Sequence, residues 1–249
     1  EEKMLELKNI SFNAENESGE KEILKNINLK IDNSFVVITG PNGGGKSTLA
    51  KIIAGIIAPV SGQILLDGED ITHMSVTERA NRGISFAFQQ PVHFKGLTVY
   101  DMLGLAAGKK LGINEACDYL SQVGLCARDY INREINSSLS GGELKRIEIA
   151  SVLARSTKVS IFDEPEAGID LWSFGNLIRV FEKMRKESGG TIIIISHQER
   201  ILNIADRIIV LGGGTVSSEG TKEEILPQLL CTVDSGCRVL ADTAREENQ

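Results

Sequence analysis

The N-terminal part of the chain alternates between apolar and polar positions. Residues 4–12 and 23–31 both alternate in this way, and the polar stretch 14–21, which contains a glycine, separates them. Alternation predicts a strand with one buried face, and two such runs on either side of a turn predict an antiparallel hairpin. We therefore expect the chain to begin with a β hairpin that covers a core with one face.

Three later runs, residues 35–39, 159–163 and 191–196, are mostly apolar and do not alternate regularly. Such runs are typical of strands that are covered on both faces. Segments with helical spacing precede the last two runs, at residues 143–154 and 174–186. Strands that alternate with helices predict a mostly parallel sheet, so the expected fold class is α/β.

The middle of the chain has helical spacing and no strand signal. This segment covers residues 98–128. We therefore predict a single domain over residues 1–249, whose core is formed by 1–90 and 139–249 and whose small helical subdomain spans about 91–138.

Length and charge narrow the classes of function. The chain has 249 residues, of which 41% are hydrophobic, and this is enough for one sizeable core. Lys and Arg number 27 against 34 Asp and Glu, which gives a formal charge of −7. Electrostatic binding of nucleic acid over a broad surface is therefore not expected, and any phosphate binding must be confined to a small site.

The apolar runs are short. A run such as residues 192–195 is far below the roughly 20 residues of a membrane-spanning helix, so no direct membrane insertion is expected. The first residues show no basic segment followed by an apolar one, and no secretory signal is predicted. These features favour a cytoplasmic location.

The cysteines do not indicate a metal site. The four residues are Cys117, Cys126, Cys231 and Cys237. They contain no CxxC pair, and no histidine lies at metal-ligand spacing, so we predict structural or incidental thiols.

Residues 40–47 match the pattern GxxxxGK[ST] between the first buried run and a helical segment from 47 to about 57. The glycines let backbone N–H groups surround phosphates, Lys46 can reach the terminal phosphates, and Ser47 can bind Mg²⁺. The alternative is a glycine-rich turn between a strand and a helix. The predicted phosphate-binding residues are Gly40, Pro41, Asn42, Gly43, Gly44, Gly45, Lys46, Ser47 and Thr48.

Two adjacent acids, Asp163 and Glu164, end the second buried run. Ligands of open α/β folds bind at the carboxyl ends of the strands, which is where this pair is expected to lie. Asp163 is suited to hold Mg²⁺, and Glu164 is suited to orient or deprotonate an attacking water. An acidic turn in solvent is the alternative for the pair alone, but the phosphate-binding pattern favours the catalytic interpretation.

A set of short motifs follows in a fixed order. They are the Walker A motif at 40–47, Phe88-Gln89, Leu139-Ser140-Gly141-Gly142-Glu143, Asp163-Glu164, Gly168-Ile169-Asp170 and Ser196-His197. In this order and spacing the chain resembles the ABC ATPase family along nearly its whole length, and the LSGGE string is the most specific match. The resemblance implies a P-loop NTPase fold of ABC type, with an N-terminal antiparallel β subdomain and a small helical subdomain. It also implies ATP and Mg²⁺ as cofactors and hydrolysis of ATP.

The resemblance also implies roles for single residues. Gln89 would contact Mg²⁺ and the attacking water, and His197 would contact the γ-phosphate and position that water. In isolation, Gln89 is compatible with an ordinary turn and His197 with a structural histidine.

A second copy of the chain is implied as well. Ser140, Gly141, Gly142, Glu143 and Asp170 would serve the nucleotide held by that copy, so the ATP-bound form would be a head-to-tail pair. The alternatives are that Ser140-Gly141-Gly142 and Asp170 only cap the helices that follow them.

One position departs from the family pattern. Many ABC ATPases stack adenine on an aromatic residue before the phosphate loop, and the aligned position here is Ala14, with Phe12 two residues earlier. Selection of ATP over GTP is thus an expectation from the family alone.

Several longer stretches resemble the Suf-system iron–sulfur cluster assembly ATPase (SufC-like). They are residues 78–84, 87–92, 142–149 and 196–202. This resemblance implies a SufB/SufD-like scaffold as the partner, with no cluster held by the chain itself. The alternatives are an ATP-binding subunit of an ABC transporter and an ATP-binding switch that does not hydrolyse. The presence of both Glu164 and His197 argues against the switch.

Overall fold

The computed structural model describes residues 4–16, 19–32, 34–90, 92–136, 138–187 and 189–230. The strands in chain order are β1 Leu5–Asn16, β2 Gly19–Ile31, β3 Phe35–Thr39, β4 Ser61–Leu66, β5 Glu69–Asp70, β6 Ile84–Ala87, β7 Val159–Asp163, β8 Thr191–Ile195, β9 Arg207–Gly212 and β10 Thr215–Thr221. The helices are α1 Lys46–Ala54, α2 Val76–Asn81, α3 Val99–Ala107, α4 Ile113–Gln122, α5 Ala127–Tyr130, α6 Gly141–Arg155, α7 Leu171–Glu187 and α8 Glu199–Leu202. The predicted tail thiols Cys231 and Cys237, and Pro91 after Gln89, lie outside the described residues.

The strands form two sheets. A six-stranded sheet has the order β10-β9-β3-β8-β7-β6, in which all neighbours are parallel except β9 and β10. A four-stranded antiparallel sheet has the order β2-β1-β4-β5. This arrangement confirms the predicted α/β fold with a mostly parallel core and an N-terminal antiparallel sheet.

Strand β3 lies in the interior of the six-stranded sheet, between β8 and β9, and all five of its residues are buried. Ile38 of β3 pairs with Ile195 of β8, and Ile195 pairs in turn with Asp163 of β7. The carboxyl ends of the three strands therefore meet at one edge of the sheet. Whatever follows each strand in the sequence is brought together at this edge.

The hairpin is longer than its hydrophobic pattern predicts. The expected turn at residues 14–21 is mostly strand, because Ala14 pairs with Lys21 and Glu15 pairs with Glu20. Backbone pairing needs no apolar side chain, so a ribbon can continue beyond the core with polar residues on its exposed end.

Helix α1 is shorter than predicted. It ends at Ala54 because Gly55 adopts a left-handed conformation with φ 78°, and its N–H donates to the carbonyls of Ile52 and Lys51. The buried side chain of Arg79 donates to the carbonyls of Ile52 and Ile53 at 2.6 and 2.9 Å. A distant guanidinium thus satisfies the last carbonyls of the helix.

Helices α3 and α4 lie within the predicted helical segment at residues 98–128, and α5 begins in this segment and ends beyond it, at Tyr130. Helix α6 packs against α3 and α4. The division of the chain into a core and a helical subdomain stays a prediction. No helix in the described ranges combines the length and apolarity needed to cross a bilayer.

Replacing Arg79 with Met (R79M) should lower the free energy of unfolding by about 3 kcal/mol or more, because several buried carbonyls lose their donor. Besides Ile52 and Ile53, the guanidinium donates to the carbonyls of Thr72 and Met74. The midpoint of guanidinium chloride unfolding measures the loss. Arg82→Met, which removes an exposed ion pair with Glu69, is the control and should leave the midpoint unchanged.

Candidate nucleotide-binding site

The loop after β3 has a backbone conformation that favours glycine at several positions. Gly40, Gly43 and Gly45 have φ angles of 128°, 76° and 95°. A Cβ atom on Gly40 would lie 2.0 Å from the carbonyl oxygen of Leu211, and one on Gly45 would lie 2.5 Å from Cδ2 of Leu24. Gly40 and Gly45 are therefore required by the packing of the loop against β9 and the hairpin, whereas Gly43 is favoured by its φ angle alone.

Lys46 begins α1 and points back into this loop. Its ammonium group donates to the carbonyls of Gly40 and Pro41 at 2.8 and 2.9 Å, and the residue is only 6% exposed. Burial lowers the pKa of Lys46, while the nearby carboxyl groups of Glu164 and Asp163 act in the opposite direction. The loop thus holds a poorly solvated cation at its centre, as a site for a polyanion requires.

Ser47 and Asp163 are joined directly. The Ser47 hydroxyl donates to Oδ1 of Asp163 at 2.9 Å. Burial raises the pKa of Asp163, the hydrogen bond from Ser47 lowers it, and the charge of Glu164 raises it. The pair presents oxygen atoms next to Lys46 and the loop, and a buried carboxylate with a hydroxyl group is a donor set that fits Mg²⁺.

Glu164 has an unusual backbone conformation. Its φ angle is 45°, and its N–H donates to the carbonyl of Ile195 at 3.0 Å. The amide of Gln89 donates to Oε2 of Glu164 at 2.5 Å. A left-handed glutamate is costly and persists only when its surroundings impose it, so this carboxylate is held in place by the strand ends.

His197 follows β8 at the same edge. Although the residue is exposed, the partial loss of solvation around its ring lowers the pKa of His197, and so does the charge of Lys46, whereas Glu164 acts in the opposite direction. The imidazole is therefore neutral at pH 7 and can donate one hydrogen bond and accept another. The structure thus brings the loop 40–47, Gln89, Asp163, Glu164 and His197 to one edge of the sheet.

Ser140 caps helix α6 with a reciprocal pair of hydrogen bonds. Its hydroxyl accepts from the N–H of Glu143 at 3.3 Å, and the Glu143 carboxylate accepts from the N–H of Ser140 at 2.6 Å. The hydroxyl of Tyr130 also donates to Glu143, and with the Ser140 bonds it lowers the pKa of Glu143 to about 2. Ser140 therefore does cap helix α6, which leaves its predicted role towards a partner's nucleotide untested.

The residues predicted to serve a second copy are not linked to the phosphate loop. Among the described residues, no hydrogen bond joins Ser140, Gly141, Gly142 or Glu143 to residues 40–47. Asp170 accepts from the N–H of Ser173 at 2.9 Å, as an N-cap of α7 does. Their action on a partner's nucleotide stays a prediction.

Sequence reasoning missed two partly buried acids beside this site. Glu166 accepts from the buried hydroxyl of Ser196 at 2.5 Å, directly before His197. Glu148 of α6 accepts from the N–H of Phe88 at 2.7 Å, directly before Gln89, and it forms an ion pair with Lys145. The only sequence signal for the Lys145–Glu148 ion pair was the presence of opposite charges three positions apart on a helix.

The hairpin lies next to the phosphate loop, since Leu24 of β2 packs at Gly45. Ala14 lies in β1 opposite Lys21 and brings no ring to this side. Phe12 pairs in register with Leu24 and packs against the core beneath the hairpin. Aromatic stacking by a residue at position 14 is thus absent.

Comparisons with known proteins agree on the kind of protein. The family described as ABC transporter matches residues 24–167. An ABC transporter ATP-binding protein of Methanocaldococcus jannaschii is 39% identical over 83% of this chain and 86% of its own length. The lipopolysaccharide export system ATP-binding protein of Haemophilus influenzae is 30% identical over 83% of this chain and 87% of its own length.

The fold is also similar to that of solved structures. One is a dimeric post-hydrolysis state of an ATP-binding cassette bound to ADP and Pi. It has a TM-score of 0.79 and 27% sequence identity, and the match covers 88% of this chain and 98% of that one.

Replacing Lys46 with Ala should weaken the binding of ATP by about 100-fold or more, because a charged group that contacts phosphate is lost. Calorimetric titration with ATP measures the affinity. Lys30→Ala, on the antiparallel sheet, removes an exposed cation that pairs with Glu6 and should bind ATP like the unmodified protein. Equal affinity of the two variants would contradict the assignment of the loop.

Proposed function

The chain belongs to the ABC transporter family and hydrolyses ATP, and from this premise we propose that it is the ATP-hydrolysing subunit that drives a conformational change in a separate partner. The main observation in support is the arrangement at the edge of the parallel sheet. The Ser47–Asp163 pair lies beside Lys46, and the Gln89–Glu164 pair lies next to it. A site for binding triphosphate and a site for activating water are thereby adjacent.

Each residue has a distinct role in this proposal. Lys46 and the N–H groups of the loop bind the terminal phosphates, and Ser47, Asp163 and Gln89 would hold Mg²⁺. When bound, the ion would supply positive charge that offsets the negative charge of the phosphate oxygens. Glu164 accepts a proton from the attacking water, which Gln89 orients.

The neutral imidazole of His197 can donate to a γ-phosphate oxygen. Its lowered pKa keeps it uncharged at pH 7, so it adds a hydrogen bond without competing with Lys46 for the role of cation.

A second copy of the chain completes the site in this proposal. Helix α6 presents the N–H groups of Gly141 and Gly142 beside the Ser140 hydroxyl, and the amino end of a helix favours an anion. Two chains in head-to-tail orientation would place this segment, with Asp170 nearby, against the nucleotide of the other chain. The dimeric state of the similar cassette supports this assembly.

The partner is expected to dock beside Gln89. The exposed side chains of Phe88, Val92 and Phe94 line an apolar groove of about 310 Å³, together with Met102 and Leu144. An exposed apolar surface of this kind is typical of a protein interface. Motion of a partner in this groove would act directly on the segment that carries Gln89.

The names of the relatives favour a transporter as that partner. The Haemophilus relative is named as the ATP-binding protein of an export system, and the Methanocaldococcus relative is named as an uncharacterized ABC transporter ATP-binding protein. In this proposal the chain works on the cytoplasmic side of a separate membrane protein.

A SufB/SufD-like scaffold for iron–sulfur cluster assembly is the second candidate. The specific observation in its favour is that two of the SufC-like stretches, residues 87–92 and 142–149, contact each other. Glu148 of one stretch accepts from the N–H of Phe88 in the other. The stretches thus form one unit beside the groove.

Co-purification separates the two candidates. The full chain is purified with its native partner from a membrane-free extract and, in parallel, from detergent-solubilised membranes. Recovery of a membrane protein from the membranes alone supports the transporter. Recovery of a scaffold from the membrane-free extract would contradict the transporter and support the second candidate.

Replacing Glu164 with Gln should lower the turnover of ATP by about 100-fold or more, since a general base contributes on that order. The affinity for ATP should stay within a few fold, and the dimer should accumulate in the presence of ATP. Phosphate release measures the turnover, calorimetric titration measures the affinity, and size-exclusion chromatography with ATP measures the dimer. Glu223→Gln, an exposed carboxylate, is the control, and unmodified turnover in E164Q would rule out the proposed role of Glu164.

A further inference from the structure

Two charged side chains of helix α6 bind the backbone N–H and the backbone carbonyl of the same residue, Phe88. The ammonium group of Lys145 donates to the carbonyl of Phe88 and lies 3.5 Å from the carbonyl of Gln89. The carboxylate of Glu148 accepts from the N–H of Phe88 at 2.7 Å. Lys145 and Glu148 are one helical turn apart and form an ion pair at 3.3 Å. We call this pair the α6 clamp.

The burial of the α6 clamp is costly. The side chain of Lys145 is 0% exposed and that of Glu148 is 13% exposed. Burial raises the pKa of Glu148, while the charge of Lys145 lowers it. Removing two charges from water offsets much of their attraction, and apolar residues of similar size are often equally stable in such a place. Stability alone therefore gives little reason for an ion pair here.

The position of the α6 clamp indicates another role. Phe88 immediately precedes Gln89, whose amide donates to Glu164. The Phe88 ring packs edge-on against Phe86 at 4.9 Å and is 37% exposed in the apolar groove. Helix α6, which carries the clamp, begins at the cap formed by Ser140. The clamp thus connects the start of α6, the groove and the Gln89–Glu164 contact.

We propose that Lys145 and Glu148 are positioning residues that fix the Phe88 peptide so that Gln89 meets Glu164. A shift of α6, caused by nucleotide at its amino end or by a partner in the groove, then moves Gln89 towards or away from Glu164. This inference rests on the roles proposed above for Gln89 and Glu164. The charge of Lys145 also lowers the pKa of Asp163, which burial raises, but the clamp holds Gln89 through the backbone of residues 88 and 89.

The test separates positioning from stability with three variants of the full chain. Lys145→Met and Glu148→Gln each break the clamp, and the double variant Lys145→Met/Glu148→Leu replaces both charges with apolar groups. The single variants should unfold at a lower denaturant concentration than the unmodified protein. The double variant should unfold at the same midpoint as the unmodified protein, because it leaves no buried charge without a partner. Lys158→Met, which removes a lysine that is 45% exposed and paired with Asp67, is the matched control.

All three clamp variants should lower kcat by about 10- to 100-fold, since small misplacements of a water-positioning group have effects on this order. KM and the affinity for ATP should change by less than about threefold, because the phosphate loop is untouched. The control should keep its kcat. A double variant that regains both stability and unmodified kcat would overturn the proposal, and so would a parallel loss of kcat and of ATP affinity.

Gln89→Ala distinguishes a failure of this inference from a failure of the proposed site. If Gln89→Ala lowers kcat and combining it with Lys145→Met lowers kcat no further, the clamp acts through Gln89. If Gln89→Ala lowers kcat but the clamp variants do not, the clamp is not a positioning device, while the role of Gln89 stands. If the Gln89→Ala variant hydrolyses ATP at the rate of the unmodified protein, the proposed role of Gln89 is wrong, and the inference about the α6 clamp is wrong as well.

Discussion

Parallel hydrogen bonding among β3, β8 and β7 is the constraint on which the candidate site depends. The pairing of Ile38 with Ile195 and of Ile195 with Asp163 makes the three strands end at one level. The phosphate loop, the two acids and His197 each follow one of these strands, so the register alone places them together. A slip of one residue in β7 would exchange its two faces and remove Asp163 from Ser47.

Charge is concentrated in the interior on this side of the sheet. Lys46, Asp163, Lys145 and Glu148 are buried or nearly so, and burial shifts the pKa of Lys46 down and those of Asp163 and Glu148 up. Each of these groups has an oppositely charged or hydrogen-bonding neighbour, which is the condition for burying charge. Low solvation strengthens the electrostatic interactions of these groups and also makes their geometry sensitive to small movements of the elements that carry them.

Elements with strong hydrophobic patterns were predictable, and those determined by distant contacts were not. The strands at 35–39 and 159–163 match the sequence prediction because their burial on both faces is visible in the sequence. Helix α1 was predicted too long because its end depends on Gly55 and on Arg79. The exposed ends of β1 and β2 were missed because pairing between their backbones leaves no hydrophobic signal.

The sequence by itself indicated the family, which the comparisons show, and it predicted the chemistry of the candidate site. The motifs at 40–47, 139–143 and 163–164 are local strings whose residue types are required by phosphate, helix caps and metal, so they are recognisable without coordinates. Only the tertiary structure decided how Gln89 is held. The α6 clamp joins Lys145 and Glu148 to the backbone of Phe88, which is far away in the chain. No pattern in a single sequence shows which distant backbone a buried charge will contact. That contact is determined by the packing of α6 against β6.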